Sequence, residues 1–444
     1  MSLPAQANFP DAGRWRRPVA TPARPFAGCG TERMTAPETR DAGAPPCFVL
    51  GIETQIGVGV VRELGRAGIE VIGLANRERS IGRASRHLAR SVVVGPGRDE
   101  ALVRRVRELG RPYGDAVLLA VSETDIAWLI ANRDALHPVR PLIPSDEAFR
   151  RVLDKASTLD AARAVGIRVP HTVCAQSFDE WQLAVDSLRY PVIVKWPDPV
   201  AVIAALREHG LALHKIEYAL DAQQLRRIGA RYQAVGRWPM IQEYCPGRGL
   251  GQFFYMQEGR ALRRFQHLRV AEWPPEGGFS SVCDAVPLSR HVALQEQSIA
   301  LLQALGWEGC AMVEYRLDEA SGNAVLMEIN GRFWGSFPLA VQAGAGFARF
   351  AYEVQGRGRT PQLPAPADRL RCRMVATELK RLARILLQPA KIHDPAFVRR
   401  PGRELWRFVS DFFRPRTRYY LWDTEDPGPW LADLRNYASR ALRR

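Results

Sequence analysis

Between residues 47 and 121 the chain alternates short apolar runs with helical stretches, and this alternation restricts the fold more than any other feature of the sequence. Residues 47–51, 70–74, 92–94 and 116–121 are apolar runs of strand length. Residues 60–67 and 100–109 have helical spacing and fall between them. Parallel neighbours cannot be joined by a tight turn and need crossovers, so the order predicts a parallel, doubly wound α/β sheet. The first turn passes from Gly51 through Gly57 to Gly59 without G-x-G-x-x-G spacing. It reads as close strand-to-helix packing better than as a dinucleotide site.

A chain of 444 residues exceeds one ordinary core and is expected to hold two or three domains. Residues 1–46 are rich in Pro, Ala, Gly and Arg, lack periodicity and read as a disordered tail, with Met34 as an alternative start. The α/β domain follows over 47–143, a mixed α/β domain over 144–356, and a basic, mostly helical extension over 357–444. Within the second domain a helix over 149–165 is expected to end at Gly166 and Pro170. Strands are expected at 191–195 and 239–243 with a helix over 222–234 between them. A strand-like alternation at 250–270, a helix over 291–305 and a hairpin over 309–330 complete it.

No apolar run reaches the roughly 18–20 residues of a membrane span. The Arg16-Arg17 pair precedes no apolar segment, so it does not read as a secretory signal. The seven cysteines are odd in number and lack metal-ligand spacing, which points to a reducing, cytoplasmic setting. The net charge of +15 is concentrated in residues 357–444, where 20 Lys and Arg stand against 9 Asp and Glu. Of 62 basic residues only five are lysine: Lys155, Lys195, Lys215, Lys380 and Lys391. A lysine kept against that bias marks a place where a compact ammonium suits better than a planar fork.

The hairpin carries the most chemistry. With Ser321-Gly322-Asn323 as the turn, opposing Leu317 to Val325 brings Glu314 opposite Glu328, and Asn330 shares their face. Facing carboxylates repel unless a proton or cation lies between them. Two carboxylates and an amide oxygen suit magnesium that also holds phosphate, and Arg332 suits a phosphate oxygen. The strands around them are apolar, which makes unliganded acids costly there. Lys195 ends an apolar strand and Lys155 opens a helix, both good positions for a point charge on phosphate. Ile241-Gln-Glu243-Tyr244-Cys245-Pro-Gly247 offers a strand running into an acidic hinge.

The ordered set Leu-Asp-Lys155, Tyr-Pro-Val-Ile-Val-Lys195, Ile-Gln-Glu243-Tyr-Cys-Pro-Gly and Met-Glu328-Ile-Asn330-Gly-Arg332-Phe-Trp-Gly resembles the ATP-grasp superfamily over residues 47–352. It is most similar to the carboxylate–amine ligase and carbamoyl-phosphate-synthase-like branch. The resemblance implies a Rossmann-like pre-ATP-grasp domain, a two-lobed α+β ATP-grasp domain and the basic C-terminal extension. It implies ATP and Mg2+, with Lys155 and Lys195 on the phosphates and Glu243, Tyr244 and Cys245 as the adenine hinge. Glu314, Glu328 and Asn330 would hold the metal, and Arg332 would meet the transferring phosphate or acyl phosphate. Gln266-His267-Leu-Arg269 and the Gly277-Gly278 stretch through Ser280 resemble a segment facing substrate, with Arg269 among the catalytic residues. Two departures stand out: Trp196-Pro197-Asp198-Pro199 replaces a glycine-rich loop, and Leu250 stands where many members carry a ribose-binding acid.

The implied reaction is ADP-forming: a carboxylate is activated as an acyl phosphate for attack by an amine. The sequence contains no P-loop. Bicarbonate activation and a degenerate nucleotide-binding module remain open beside it. The implied partners are small-molecule carboxylate and amine substrates and a second copy in a homodimer, without nucleic acid. Residues 379–387 and 404–413 mix arginine with bulky apolar side chains. They read as helices packed on the core with arginines outward, peripheral contact with an anionic membrane being the alternative.

Overall fold

The computed structural model describes residues 43–196, 199–214, 216–394 and 397–442. Residues 1–42 of the expected disordered tail lie outside them, as do Lys215 and part of the run that replaces the glycine-rich loop. Strands β1 (Cys47–Leu50), β2 (Val71–Ala75), β3 (Arg90–Val93), β4 (Ala116–Ala120) and β5 (Val139–Pro141) form a wholly parallel sheet in the order β3-β2-β1-β4-β5. Every residue of β1, β2 and β4 is buried, as their unbroken apolar runs require. Thr54 caps the helix Gln55–Arg66 by accepting from the Gly57 N–H. A Cβ on Gly57 would lie 2.3 Å from the Gly51 carbonyl, and one on Gly59 would lie 3.0 Å from the Phe337 ring. The glycine turn is a packing device.

A second, antiparallel sheet contains β6 (Thr172–Val173), β7 (Val192–Lys195), β8 (Glu217–Ala219) and β9 (Met240–Glu243) in the order β6-β9-β7-β8. This lobe has its own core, built from Trp181, Val192, Val194, Leu225, Ile228, Tyr232 and Ile241. Trp181 is fully buried and donates its indole N–H to the Leu225 carbonyl at 3.2 Å. Gly229 passes so close to the indole that a Cβ would lie 2.1 Å from its nitrogen.

The third sheet has seven strands: β10 (Arg248–Gln257), β11 (Arg260–Trp273), β12 (Phe279–Ala285), β13 (Gly309–Leu317), β14 (Ala324–Asn330), β15 (Arg371–Arg373) and β16 (Thr417–Tyr419). Their order is β14-β13-β10-β11-β12-β15-β16, antiparallel except for the last pair. One core unites this sheet with the parallel one, Phe48 and Leu118 packing in the same cluster as Leu250, Phe254 and Leu326. The α/β class and the pairing of an N-terminal parallel sheet with a two-lobed body hold as expected.

Two details differ from the sequence reading. The helix expected over 149–165 is two helices, Asp146–Leu153 and Lys155–Ala164. Asp154 breaks it by taking extended backbone angles and accepting from the Ala156 N–H, which restarts the helix at Lys155. The segment after residue 357 also supplies strands β15 and β16 to the central sheet. Arg371 there grips Asp284 and Asp411 at 2.7 Å each, and the fully buried Arg373 binds Glu378 at 2.6 Å. Farther on, Asp426 holds the buried Arg62 of the first helix at 2.9 Å.

Since the middle lobe has a separate core, Trp181→Ala should cost about 3–5 kcal/mol within that lobe. Hydrogen exchange should show protection lost across 173–241 and retained in β1, β4 and β10. Uniform loss through the whole chain would contradict the separation.

Candidate active site

Strands β13 and β14 position the central acids. The sequence reading opposed Leu317 to Val325; the structure opposes Leu317 to Ala324, one residue off. A bulge between Glu314 and Tyr315 leaves Met327 as the extra residue and returns the register, so Glu314 does face Glu328. The Asn330 amide donates to the Glu328 carboxylate at 3.0 Å.

Among the described residues one cation is seen to bond directly to Glu314. Arg269, from β11, donates to Glu314 at 2.5 Å and to Glu272 at 3.2 Å. It also donates to the Gly278 carbonyl at 2.8 Å, while its buried Nε has no hydrogen-bond partner among the described residues. The Glu314 carboxyl is pushed up to about 7, chiefly by burial. The Arg269 charge opposes the rise, while Glu328 and Glu272 add to it.

Lys195 ends β7 and its ammonium is brought down to about 8. Burial is the main cause and the Lys155 charge the next; Glu328 and Glu314 pull the other way. Lys195 thus feels both the second lysine, from a different element, and the acidic pair. Arg332 donates to the side-chain amide oxygen of Asn330 at 2.8 Å and to Glu123 at 3.1 Å. Glu123 opens the helix Glu123–Asn132, which Ser122 caps directly after β4.

The hinge is arranged differently from the expectation. The Glu243 carboxylate accepts from the His171 N–H at 3.1 Å and so turns toward β6. The Tyr244 hydroxyl donates to Asp394 at 2.6 Å, and its ring meets that of Tyr218 at 6.1 Å. Cys245 is buried, and burial followed by the Glu243 charge raises its thiol to about 11. The Glu243 and Tyr244 side chains are thus engaged with His171 and Asp394.

Of the stretch expected to face substrate, Arg269 alone reaches the carboxylates. Gln266 is buried and donates to the Pro287 and Arg290 carbonyls at 2.6 and 2.9 Å. His267 is buried, held well below the usual imidazole range by desolvation, and sits 2.9 Å from the Ser336 hydroxyl. Ser280 donates to the Val282 carbonyl. Leu250 is fully buried in the core. Beside the hinge lies a cavity of about 880 Å³ whose walls include Tyr218, Trp273, Glu276, Arg384 and Asp394.

The sequence reading missed Glu123 and Glu272. A signal for Glu123 exists: Ser122 caps a helix at the carboxyl end of a parallel strand, where ligand-facing groups gather in such sheets. Nothing in the spacing marks Glu272. Among the described residues no group of three or more His, Cys, Asp or Glu is disposed to hold a metal alone. The hairpin offers two carboxylates and an amide.

No protein-family model matches the sequence, and no curated protein matches it either. Solved structures do match in fold. One is the biotin carboxylase domain of Hydrogenobacter thermophilus 2-oxoglutarate carboxylase, a dimer in complex with MgADP, ADP and bicarbonate. It is 15% identical, with a TM-score of 0.55 over 73% of this chain and 72% of that one. N5-carboxyaminoimidazole synthetase from Staphylococcus aureus is 13% identical, with a TM-score of 0.54 over 74% and 81%. L-amino acid ligase from Bacillus licheniformis is 15% identical, with a TM-score of 0.51 over 70% and 74%. The chain has the ATP-grasp fold that these enzymes share.

The electrostatic reading of the acids is open to direct measurement. In the unliganded protein the Glu314 carboxyl should titrate near 7. Glu328→Gln removes a like charge and should lower that midpoint, whereas Arg269→Gln removes the opposing cation and should raise it. Carboxyl 13C chemical shifts would follow both. A Glu314 midpoint in the ordinary carboxylate range would mean that water reaches the pair freely.

Proposed function

We propose that this protein is an ATP-dependent, ADP-forming ligase that activates a carboxylate as an acyl phosphate for attack by an amine. The observation that carries the reading is Glu314 facing Glu328 beside Asn330 and Arg332, with Lys195 in the field of both acids and of Lys155.

The residues fit Mg2+ held jointly with phosphate. Glu314 keeps a proton up to about 7 in the absence of a cation, and two carboxylates with an amide oxygen are hard donors. When bound, the ion would neutralise charge on the phosphate oxygens. The chain's own groups do the rest by position and charge. Lys155 and Lys195 hold the phosphates, and the backbone around Glu243, Tyr244 and Cys245 meets the adenine edge. A substrate carboxylate oxygen attacks the γ-phosphorus and ADP leaves. The amine then attacks the acyl carbon, and the C–O bond to phosphate breaks. Arg332, braced by Glu123, and Arg269, braced by Glu272, offset the negative charge that shifts between these groups.

Purified protein with Mg2+ and ATP should release ADP and phosphate, faster once the right acid and amine are present. Glu328→Ala should lower kcat/KM about 10²–10³-fold, the range for removing one preorganised electrostatic partner. AMP and pyrophosphate as products would refute the mechanism. ATP binding without turnover across a broad acid–amine screen would identify a nucleotide-binding module instead.

The depressed Lys195 gives a pH signature. The ammonium is charged below about 8 and neutral above, so ATP affinity of the free protein should fall as pH rises through about 8. In Lys195→Arg that decline should vanish, since a guanidinium does not titrate there, while turnover drops because the planar fork replaces a point charge. Calorimetric titrations from neutral to alkaline pH would compare the two; identical profiles would remove Lys195 from the phosphate site.

A further inference from the structure

Helices of the C-terminal segment were expected to pack their apolar faces inward and turn arginines outward. The helix Pro401–Ser410 does the reverse and has no buried residue. Leu405, Trp406 and Val409 are exposed along one face, and the turn that follows adds Phe412 and Phe413. Their spacing of one, four, seven and eight residues is that of a single helical stripe. Trp406 is 72% exposed and Phe413 83%, values that a solvated aromatic does not need for folding. Arg399 donates to the Ile385 and Leu386 carbonyls, which brings exposed Leu387 beside exposed Val398 and lengthens the apolar area.

Charge around this stripe is of one sign. Arg399, Arg400, Arg403, Arg414, Arg416 and Arg418 are all exposed. None of the six makes an ion pair among the described residues. The acids between residues 397 and 418 are Glu404 and Asp411, and both point inward. Glu404 is taken up by Arg381 and Arg407, and Asp411 by Arg371. The fold has therefore placed its acids on the buried side of this segment and left aromatics and arginines outside.

We infer that this face docks on a membrane surface that carries anionic lipid headgroups, with Trp406 and Phe413 entering the boundary of the acyl chains and the arginines meeting the headgroup phosphates. No helix among the described residues is long and apolar enough to cross a membrane, so the attachment is peripheral. A second copy of the chain is a poor occupant, because two faces of six unpaired arginines would repel. A nucleic acid would satisfy the arginines but leave Leu405, Val409 and Leu387 against a polar backbone.

The full-length protein is tested by co-sedimentation with phosphatidylcholine vesicles and with vesicles in which about a third of the lipid is phosphatidylglycerol. Binding at least tenfold tighter to the anionic vesicles, weakened by salt and accompanied by a blue shift of tryptophan emission, is the expected result. The double variant W406S/F413S should lose that binding at least tenfold while its circular dichroism and its ATP turnover stay unchanged. The double variant R403E/R414E should lose it as well. Equal binding to neutral and anionic vesicles, no binding to either, or full binding by W406S/F413S would each overturn the inference. So would a concentration-dependent dimer, or duplex DNA binding as tight as that of the vesicles, that W406S/F413S abolishes.

Discussion

Two carboxylates facing each other across an antiparallel pair, in strands that are otherwise apolar, set the terms for everything around them. Glu314 is largely withdrawn from water while Glu328, opposite it, is exposed, and among the described residues Arg269 is the cation that pairs with Glu314. The rest of the neighbourhood follows from holding that one arginine in place. Glu272 takes a second N–H, and the Gly278 carbonyl shares the same nitrogen, which commits the turn after β11 to a fixed approach. On the other side, Asn330 donates to Glu328 and is itself tied through Arg332 to Glu123 of the parallel-sheet unit. The acids thus link elements from both halves of the molecule, and the proposed Mg2+ would bring them the positive charge that they lack.

The parts of this arrangement that were readable in the sequence are those governed by local rules. Buried parallel strands read as unbroken apolar runs, so β1, β2 and β4 were visible to within a residue or two. The acidic pair was visible because the hairpin and its turn lie within one short stretch, though the pairing was reached through a register that the bulge at Met327 corrects. Strands of two or three residues, such as β6, β8 and β15, carry no periodicity to detect. Glu123 and Glu272 enter the site through contacts 209 and 3 residues away along the chain, and only the first follows a capping rule. The partners of the Glu243 and Tyr244 side chains, His171 and Asp394, lie 72 and 150 residues away along the chain. Proximity of that kind is a property of the fold and leaves no trace in spacing.

The segment beyond residue 357 shows how composition can mislead about placement. Its excess of arginine reads as a solvated surface, yet Arg371 and Arg373 are among the most buried charges in the molecule. Each is matched by carboxylates and, for Arg373, by the Phe408 and Phe412 rings at 5.2 and 4.3 Å. Buried pairs of this kind are demanding in geometry, and removing one partner typically costs about 3–5 kcal/mol because the other charge is left in a poor solvent. The segment is fixed to β12 by Asp284 and to the first helix by Arg62, and it completes the central sheet.

One bond in this architecture joins parts that have little else in common. Tyr244 belongs to the hinge after β9, and Asp394 belongs to the segment that leads into the arginine-rimmed helix. A bond that is made in one arrangement of the hinge and broken in another couples the two regions thermodynamically. Whatever free energy a nucleotide at the hinge contributes to loosening or tightening Asp394 must reappear, equal in size, as an effect of events at the far helix on nucleotide affinity. A displacement of Tyr244 that breaks the phenol–carboxylate contact therefore also removes one of the contacts that fix Asp394.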